Sequence, residues 1–256
     1  MEEFLLAKIK IRPQTTASIL EKIKKSTQAR RDFMHVVSIN PENIIIARTD
    51  GKFKKVVESA QIQILDGIGV VWASRILHGR QFDRMTGTDL AQELLEWAGV
   101  NSFRVLLIGG MPKIAHTIAD CYSQKYQQAR YLGIEGISDI KKPRLEEEKA
   151  IFDIVADYKP HIVLVSFGSP DQEVWIDTHK EKFSGCVCVG VGGAFDFISG
   201  NVSRAPSWMR AFGLEWLYRL VIQPWRLRRQ VNLIWFVLLV LYEKISSMPR
   251  ASGTQE

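Results

Sequence analysis

Short apolar runs separated by longer stretches of helical periodicity organise this chain of 256 residues. His35–Ser38, Ile44–Ala47, Ile62–Leu65, Arg104–Ile108, His161–Phe167 and Val187–Val191 read as strands. Several of them are continuously apolar rather than alternating, as a sheet covered on both faces requires. Between them, helical spacing of apolar positions marks segments near Ile68–Leu77, Leu90–Trp97, Lys113–Tyr126, Leu145–Tyr158 and Glu173–Lys182. This order predicts an α/β fold, a Rossmann-like sandwich with a largely parallel sheet, with ligands at the carboxyl ends of the strands.

Five predicted strand ends carry glycines and small polar groups: Ser38-Ile39-Asn40, Asp66-Gly67, Gly109-Gly110, Gly168–Glu173 and Gly192–Asp196. In a parallel sheet these would converge on one edge and line a cleft. After about Pro206 the character changes. Trp208, Trp216 and Trp225 stand among Arg204, Arg210, Arg219, Arg226, Arg228 and Arg229, and an apolar run follows at Leu233–Tyr242. That run has ten residues, about half of what a membrane-spanning helix needs, so it is expected to lie on a membrane surface or against a partner. The organisation read from these shifts is a core over residues 1–205, a helical, membrane-associating appendage over 206–245 and a disordered tail over 246–256.

Composition adds direction rather than class. The net charge of +6 is mild but concentrated in the arginine-rich end, which points to an anionic partner. Three cysteines make no disulfide framework, and the first residues lack a signal-peptide profile, so a reduced, cytoplasmic setting is expected.

Each candidate residue also has a structural reading. Ser169, Pro170 and Gln172 have the spacing of a capped helix start with a capping box, and such a start also presents amides to a phosphate. Gly109-Gly110-Met111-Pro112 has the same double meaning. Asp66 lies between an apolar strand and a glycine, where it is either a general base or an Asp-Gly turn residue; spacing alone favours the turn. Asp196 could accept from a ribose or close a turn, and Asn40 could bridge loops or touch ligand. Glu146–Glu148 is expected to start a solvated helix. No Asp-x-Asp, no phosphate loop and no zinc-ligand spacing of histidines occurs, so no metal is expected.

The ordered motifs Ser-Ile-Asn-Pro-Glu (38–42), Asp-Gly-Ile-Gly-Val-Val-Trp (66–72), Arg-Met-Thr-Gly-Thr-Asp-Leu (84–90), Gly-Ser-Pro-Asp-Gln-Glu (168–173), Gly-Val-Gly-Gly-Ala-Phe-Asp-Phe (190–197) and the arginine-tryptophan segment 204–220 resemble the WecG/TagA/CpsF glycosyltransferase family. Ser38 stands where that family often has threonine. The resemblance implies inverting, metal-independent transfer of a sugar of the N-acetylmannosamine, N-acetylmannosaminuronic acid or glucose type. The donor would be a UDP-sugar, and the acceptor a polyprenyl-diphosphate-linked saccharide at the cytoplasmic membrane face. It further implies Asp66 as the base, with Ser38 and Asn40 beside it. Arg84 and Gln172 would line the sugar and phosphate pocket, Gly192, Gly193 and Asp196 would hold the nucleotide, and Arg219, Arg226 and Arg229 would reach the diphosphate.

Two other classes compete. An NAD-type oxidoreductase would suit the fold, but Phe195 takes the place of the third glycine in the fingerprint begun at Gly190. A non-catalytic membrane-associated protein would explain the terminal segment and leave the strand ends unexplained. A UDP-versus-NAD thermal-shift comparison separates these. Nucleic acid is not expected as a partner, and a homo-oligomer is compatible with the sequence without being specified by it.

Overall fold

The computed structural model describes residues 3–224 and 227–247. Strands β1 (Phe4–Leu6) and β2 (Ile9–Ile11) form a short antiparallel hairpin. The others are β3 (Met34–Ile39), β4 (Ile62–Leu65), β5 (Arg104–Gly109), β6 (Arg130–Ile134), β7 (Ile162–Ser166) and β8 (Val187–Gly190). They pair in parallel in the order β4-β3-β8-β7-β5-β6. The expected parallel α/β sandwich is therefore present, and every strand of this sheet ends on the same edge.

Helices cover both faces: α1 (Thr16–Ala29), α2 (Pro41–Thr49), α3 (Gly51–Ser59), α4 (Ile68–His78), α5 (Gly87–Val100), α6 (Ile114–Lys125), α7 (Leu145–Tyr158), α8 (Asp171–Thr178) and the short α9 (Ala194–Ile198). The continuous apolar runs are explained by this double cover. Val36 packs into the cluster under α1, α5 and α6, whereas its neighbour Val37 packs under α2, α3 and α4. On β5, Leu107 and Ile108 divide in the same way, Ile108 facing α7 and α8. Glu146, Glu147 and Glu148 occupy the first turn of α7, as the sequence predicts.

The structure corrects one strand. Ile44–Ala47 lies within α2, because the Asn40 Oδ1 accepts from the Asn43 amide at 2.8 Å and Pro41 occupies the first turn. An N-cap and an N-terminal proline here outweigh the strand preference of three isoleucines. Conversely, β6 carries Arg130 and Gly133 and has no apolar run to betray it. Gly133 is required there, since a Cβ would stand 2.2 Å from the Ala115 carbonyl oxygen as α6 crosses the strand.

The C-terminal segment forms α10 (Ser207–Ala211), α11 (Glu215–Ile222) and α12 (Leu227–Ser246). The apolar run Leu233–Tyr242 is the middle of α12. Phe236 and Val240 are buried in the cluster that contains Ile44, Val70 and Leu65, while Ile234, Trp235, Leu238, Leu241 and Tyr242 remain exposed. No described helix is long and apolar enough to cross a membrane. Ser246 closes α12 in place of beginning a tail, and residues 248–256 lie outside the described residues.

Candidate active site

The carboxyl edge of the sheet gathers the expected residues into two adjoining clusters. The first lies beyond β3 and β4. Asp66 follows β4 and keeps part of its surface open to solvent. Its Oδ2 accepts from the Gly87 amide, the first residue of α5, at 3.1 Å. A Cβ on Gly87 would stand 3.3 Å from Ser38 Oγ and 3.5 Å from Asp66 Oδ2. The absence of that carbon lets the helix start come close to both side chains. Ser38 is nearly buried at the end of β3, beside Asp66. Burial pushes the Asp66 carboxyl up to about 6, opposed by the Gly87 amide; Glu215 and Asp89 raise it further, and Arg84 lowers it. A carboxylate tuned to this range can take a proton near neutral pH, which a solvated turn aspartate does poorly.

Asn40 acts first as the cap of α2. The bridging expected of it is done by its neighbour Asn43, which is buried. The Asn43 Nδ2 donates to the Ser38 carbonyl at 2.8 Å, and its Oδ1 accepts from Ser169 Oγ at 3.0 Å. This ties the end of β3 to the loop before α8.

That loop corrects a second expectation. Pro170, not Ser169, precedes α8, and no side chain caps the helix. Gln172 is buried, and its Oε1 accepts from the Gly168 amide at 3.1 Å and the Gly192 amide at 3.0 Å. The hydroxyl that would have capped the helix is engaged with Asn43, and the glutamine is drawn inward to hold two glycine loops. Gln172 therefore shapes the edge from beneath.

The second cluster lies beyond β5, β6 and β7. Gly109 and Gly110 both have positive φ, 85° and 87°, so the chain turns sharply at the end of β5. They line a cleft of about 510 Å³ together with Ser166, Phe167 and the segment 135–141. Helix α6 begins at Ile114, preceded by Lys113, so Pro112 does not open it. Ser166 Oγ donates to the Gly192 carbonyl at 2.5 Å, joining this cleft to the turn after β8.

The C-terminal segment closes over that turn. Arg219 Nη2 donates to the Gly193 carbonyl at 3.1 Å and pairs with Asp196 at 3.3 Å, and its guanidinium sits 4.6 Å from the Phe197 ring centre. Arg84 Nη2 donates to the Arg210 carbonyl at 3.0 Å. Arg204 Nη1 pairs with Asp89 at 2.7 Å and its Nε with Glu215 at 3.3 Å. Three arginines thus clasp α10 and α11 to the core around Asp66. Arg226 lies outside the described residues, as does the side chain of Arg229.

Sequence reasoning gave no site role to Gly87, Asn43 or Glu215, and took Arg204 only as one of the arginines of the C-terminal segment. Thr86 caps α5, with its Oγ1 accepting from the Asp89 amide at 3.0 Å. The Thr-x-x-Asp spacing was a readable sign of that helix start. Among the described residues no three His, Cys, Asp or Glu side chains form a metal-ligand set.

A parallel six-stranded sheet with helices on both faces, glycine turns on its carboxyl edge and a tuned carboxylate there define a Rossmann-like α/β protein with an enzyme-like cleft. The chain belongs to the glycosyl transferase WecG/TagA/CpsF family, which matches residues 4–250, and it is accordingly a glycosyltransferase. It is similar to the N-acetylglucosaminyldiphosphoundecaprenol N-acetyl-beta-D-mannosaminyltransferase of Bacillus subtilis (strain 168), with 34% identity over 82% of this chain and 79% of the relative. It is likewise similar to the enzyme of that name from Bacillus spizizenii (strain ATCC 23059 / NRRL B-14472 / W23), with 35% identity over 85% of this chain and 83% of the relative.

Proposed function

We propose that the protein transfers an N-acetylmannosamine-type sugar from a UDP-sugar to a polyprenyl-diphosphate-linked saccharide, with inversion and without a metal. The setting would be cell-envelope polymer synthesis at the inner face of the membrane. The observation that carries the reading is Asp66, a carboxylate raised to about 6 on the strand edge, with Ser38 and the start of α5 beside it. Asp66 takes the proton of the acceptor hydroxyl as its oxygen bonds to the anomeric carbon. The carbon–oxygen bond to the β-phosphate breaks, and UDP leaves with the electron pair. A single displacement needs one base, so a carboxylate pair is not required.

Departing UDP gains negative charge, which preorganised cations stabilise. Arg219, held against the Gly193 turn, and Arg84 are the described cations assigned to that task, with Arg226 and Arg229 as further candidates. Gly192, Gly193 and Asp196 are assigned to the nucleotide, and Gly109 and Gly110 to the open side of the same cleft. The name borne by the two relatives supports N-acetylmannosamine as the sugar and a diphosphoundecaprenol-linked N-acetylglucosamine as the acceptor. Trp208 on α10, Phe212 just after it, and Trp216, Leu217, Val221 and Ile222 on α11 are exposed beside arginines, which suits a segment that rests on anionic headgroups.

The test is a panel of UDP-sugars offered with a polyprenyl-diphosphate-linked N-acetylglucosamine, the product anomer being read by NMR. Transfer from UDP-N-acetylmannosamine with inversion is expected. Transfer from no UDP-sugar, or retention of configuration, refutes the proposal.

A further inference from the structure

A buried acid at the carboxyl edge takes no part in the proposed reaction. Glu173, in the first turn of α8, is fully shielded from solvent, and burial raises the pKa of its carboxyl, opposed by its bond to Gln172. Its Oε1 accepts from Gln172 Nε2 at 2.7 Å, whereas its Oε2 is buried without a hydrogen bond. A carboxyl in such a place costs stability that an apolar side chain would not. What it supplies in return is an acceptor for Gln172. That glutamine stands between an acceptor and two donors, because its own Oε1 accepts from the Gly168 amide at 3.1 Å and the Gly192 amide at 3.0 Å. Reversal of the amide would set its NH2 against two N–H groups and its carbonyl against a carboxyl oxygen, so one orientation satisfies all of them. Gly190, the last residue of β8, makes room for this arrangement: a Cβ there would stand 2.8 Å from both Gln172 Nε2 and Glu173 Oε1. The turn held by Gln172 is also the one that Ser166 holds through the Gly192 carbonyl and Arg219 through the Gly193 carbonyl. A single side chain therefore separates Glu173 from the turn assigned to the nucleotide.

We infer that Glu173 is a positioning residue for the donor: it orients the Gln172 amide, which fixes the Gly168 and Gly192 turns and with them the pocket for UDP. The inference rests on the assignment of the Gly192 turn to the nucleotide made above. Fully buried, Glu173 acts on the donor only through Gln172. Three substitutions separate its parts. Glu173→Leu fills the space and removes the acceptor. Glu173→Gln keeps an oxygen for Gln172 Nε2 and removes the ionisable group. Gly190→Ala keeps both polar groups and pushes against their ends, which are free enough to shift; Gly190 has no left-handed φ, so alanine strains no backbone there.

The test uses the full chain and reads two things: hydrogen exchange of the Gly168 and Gly192 amides by NMR without ligand, and UDP binding by calorimetry. Glu173→Leu and Gly190→Ala should speed exchange at both amides. They should also weaken UDP binding roughly tenfold, the worth of one buried hydrogen bond. Glu173→Gln should restore both readouts to near wild-type values. In transfer assays Glu173→Leu should raise KM for the UDP-sugar by the same factor and leave kcat and KM for the acceptor as they are. Unchanged UDP binding in Glu173→Leu, a loss in Glu173→Gln as large as in Glu173→Leu, or an equal rise in both KM values overturns the inference. If Glu173→Leu does not fold, Gly190→Ala decides, and unchanged exchange at Gly192 in that variant overturns the inference as well. Faster exchange in the variants of a protein that binds no UDP upholds the link from Glu173 through Gln172 to the turns and overturns the donor proposed above. UDP binding that is indifferent to Glu173 does the reverse.

Discussion

Asp66→Asn separates the catalytic reading from the turn reading because the two predict opposite balances of activity and stability. Asparagine is nearly isosteric and retains an oxygen for the Gly87 amide, which donates to Asp66 at 3.1 Å. Removal of a general base should lower kcat by roughly two to four orders of magnitude with little change in UDP binding. The raised carboxyl also has a cost to the fold. Its pKa moves from 3.8 to about 6 with burial as the largest cause. The native state thus favours the protonated form, so stability is greatest below the unfolded value and is lost as pH rises through about 6. A shift of about two units corresponds to roughly 3 kcal/mol at full ionisation. Partial solvent contact reduces this, so a gain of about 1–2 kcal/mol is expected for the asparagine variant at pH 8, and none at pH 4. Wild-type kcat should fall as pH drops through about 6, because the base must be unprotonated. The assays are radiolabelled sugar transfer and urea unfolding at both pH values. An inactive variant that is also less stable at pH 8 would refute the reasoning, since the loss would then be structural. An active variant would return Asp66 to a turn residue.

Arg219→Ala removes the contacts to Gly193 and Asp196. It should cut turnover at least tenfold while changing vesicle co-sedimentation little, one charge among several mattering less to adsorption than to a diphosphate; equal losses in both assays would assign Arg219 to anchoring. Activity should survive excess EDTA, and loss of turnover restored by magnesium or manganese would displace the arginine-based account of the leaving group. His35 is buried with neither ring nitrogen hydrogen-bonded, and burial lowers its pKa to about 3. The unfolded chain alone therefore takes up this proton between pH 6.5 and about 3, so stability falls on acidification across that window. His35→Leu should reduce the slope by up to roughly 1.4 kcal/mol per pH unit, read from urea midpoints between pH 7 and 4; an unchanged slope would show that His35 is not the group that titrates.

What was legible in the sequence was whatever depends on a residue's near neighbours. Parallel strands buried on both faces must be apolar along their centres, so β5 and β7, with Val105–Ile108 and Ile162–Val165, stood out at once. The glycine turns marked where those strands stop. Ile44–Ala47 was misread for a local reason as well: four apolar residues cannot reveal their period, and the deciding signal was the Asn40-Pro41 cap just upstream. Strand β6 was invisible because its Gly133 answers to the α6 backbone, not to strand propensity.

The site was legible as an edge and not as a mechanism. Asp66 looks like a turn residue until Gly87, 21 positions later, is found bonded to it and Glu215 is found acting on its charge. Such couplings leave no periodic trace, since each depends on where the sheet brings distant loops. Gln172 makes the same point in reverse. Its spacing three residues after Ser169 suggested a capping box, yet its carbonyl oxygen serves Gly168 and Gly192 from below. A motif therefore names the residues on which an edge depends without saying which of them face the ligand. Here Gln172 supports and Asp66 faces outward, and only burial and hydrogen-bond partners distinguish the two.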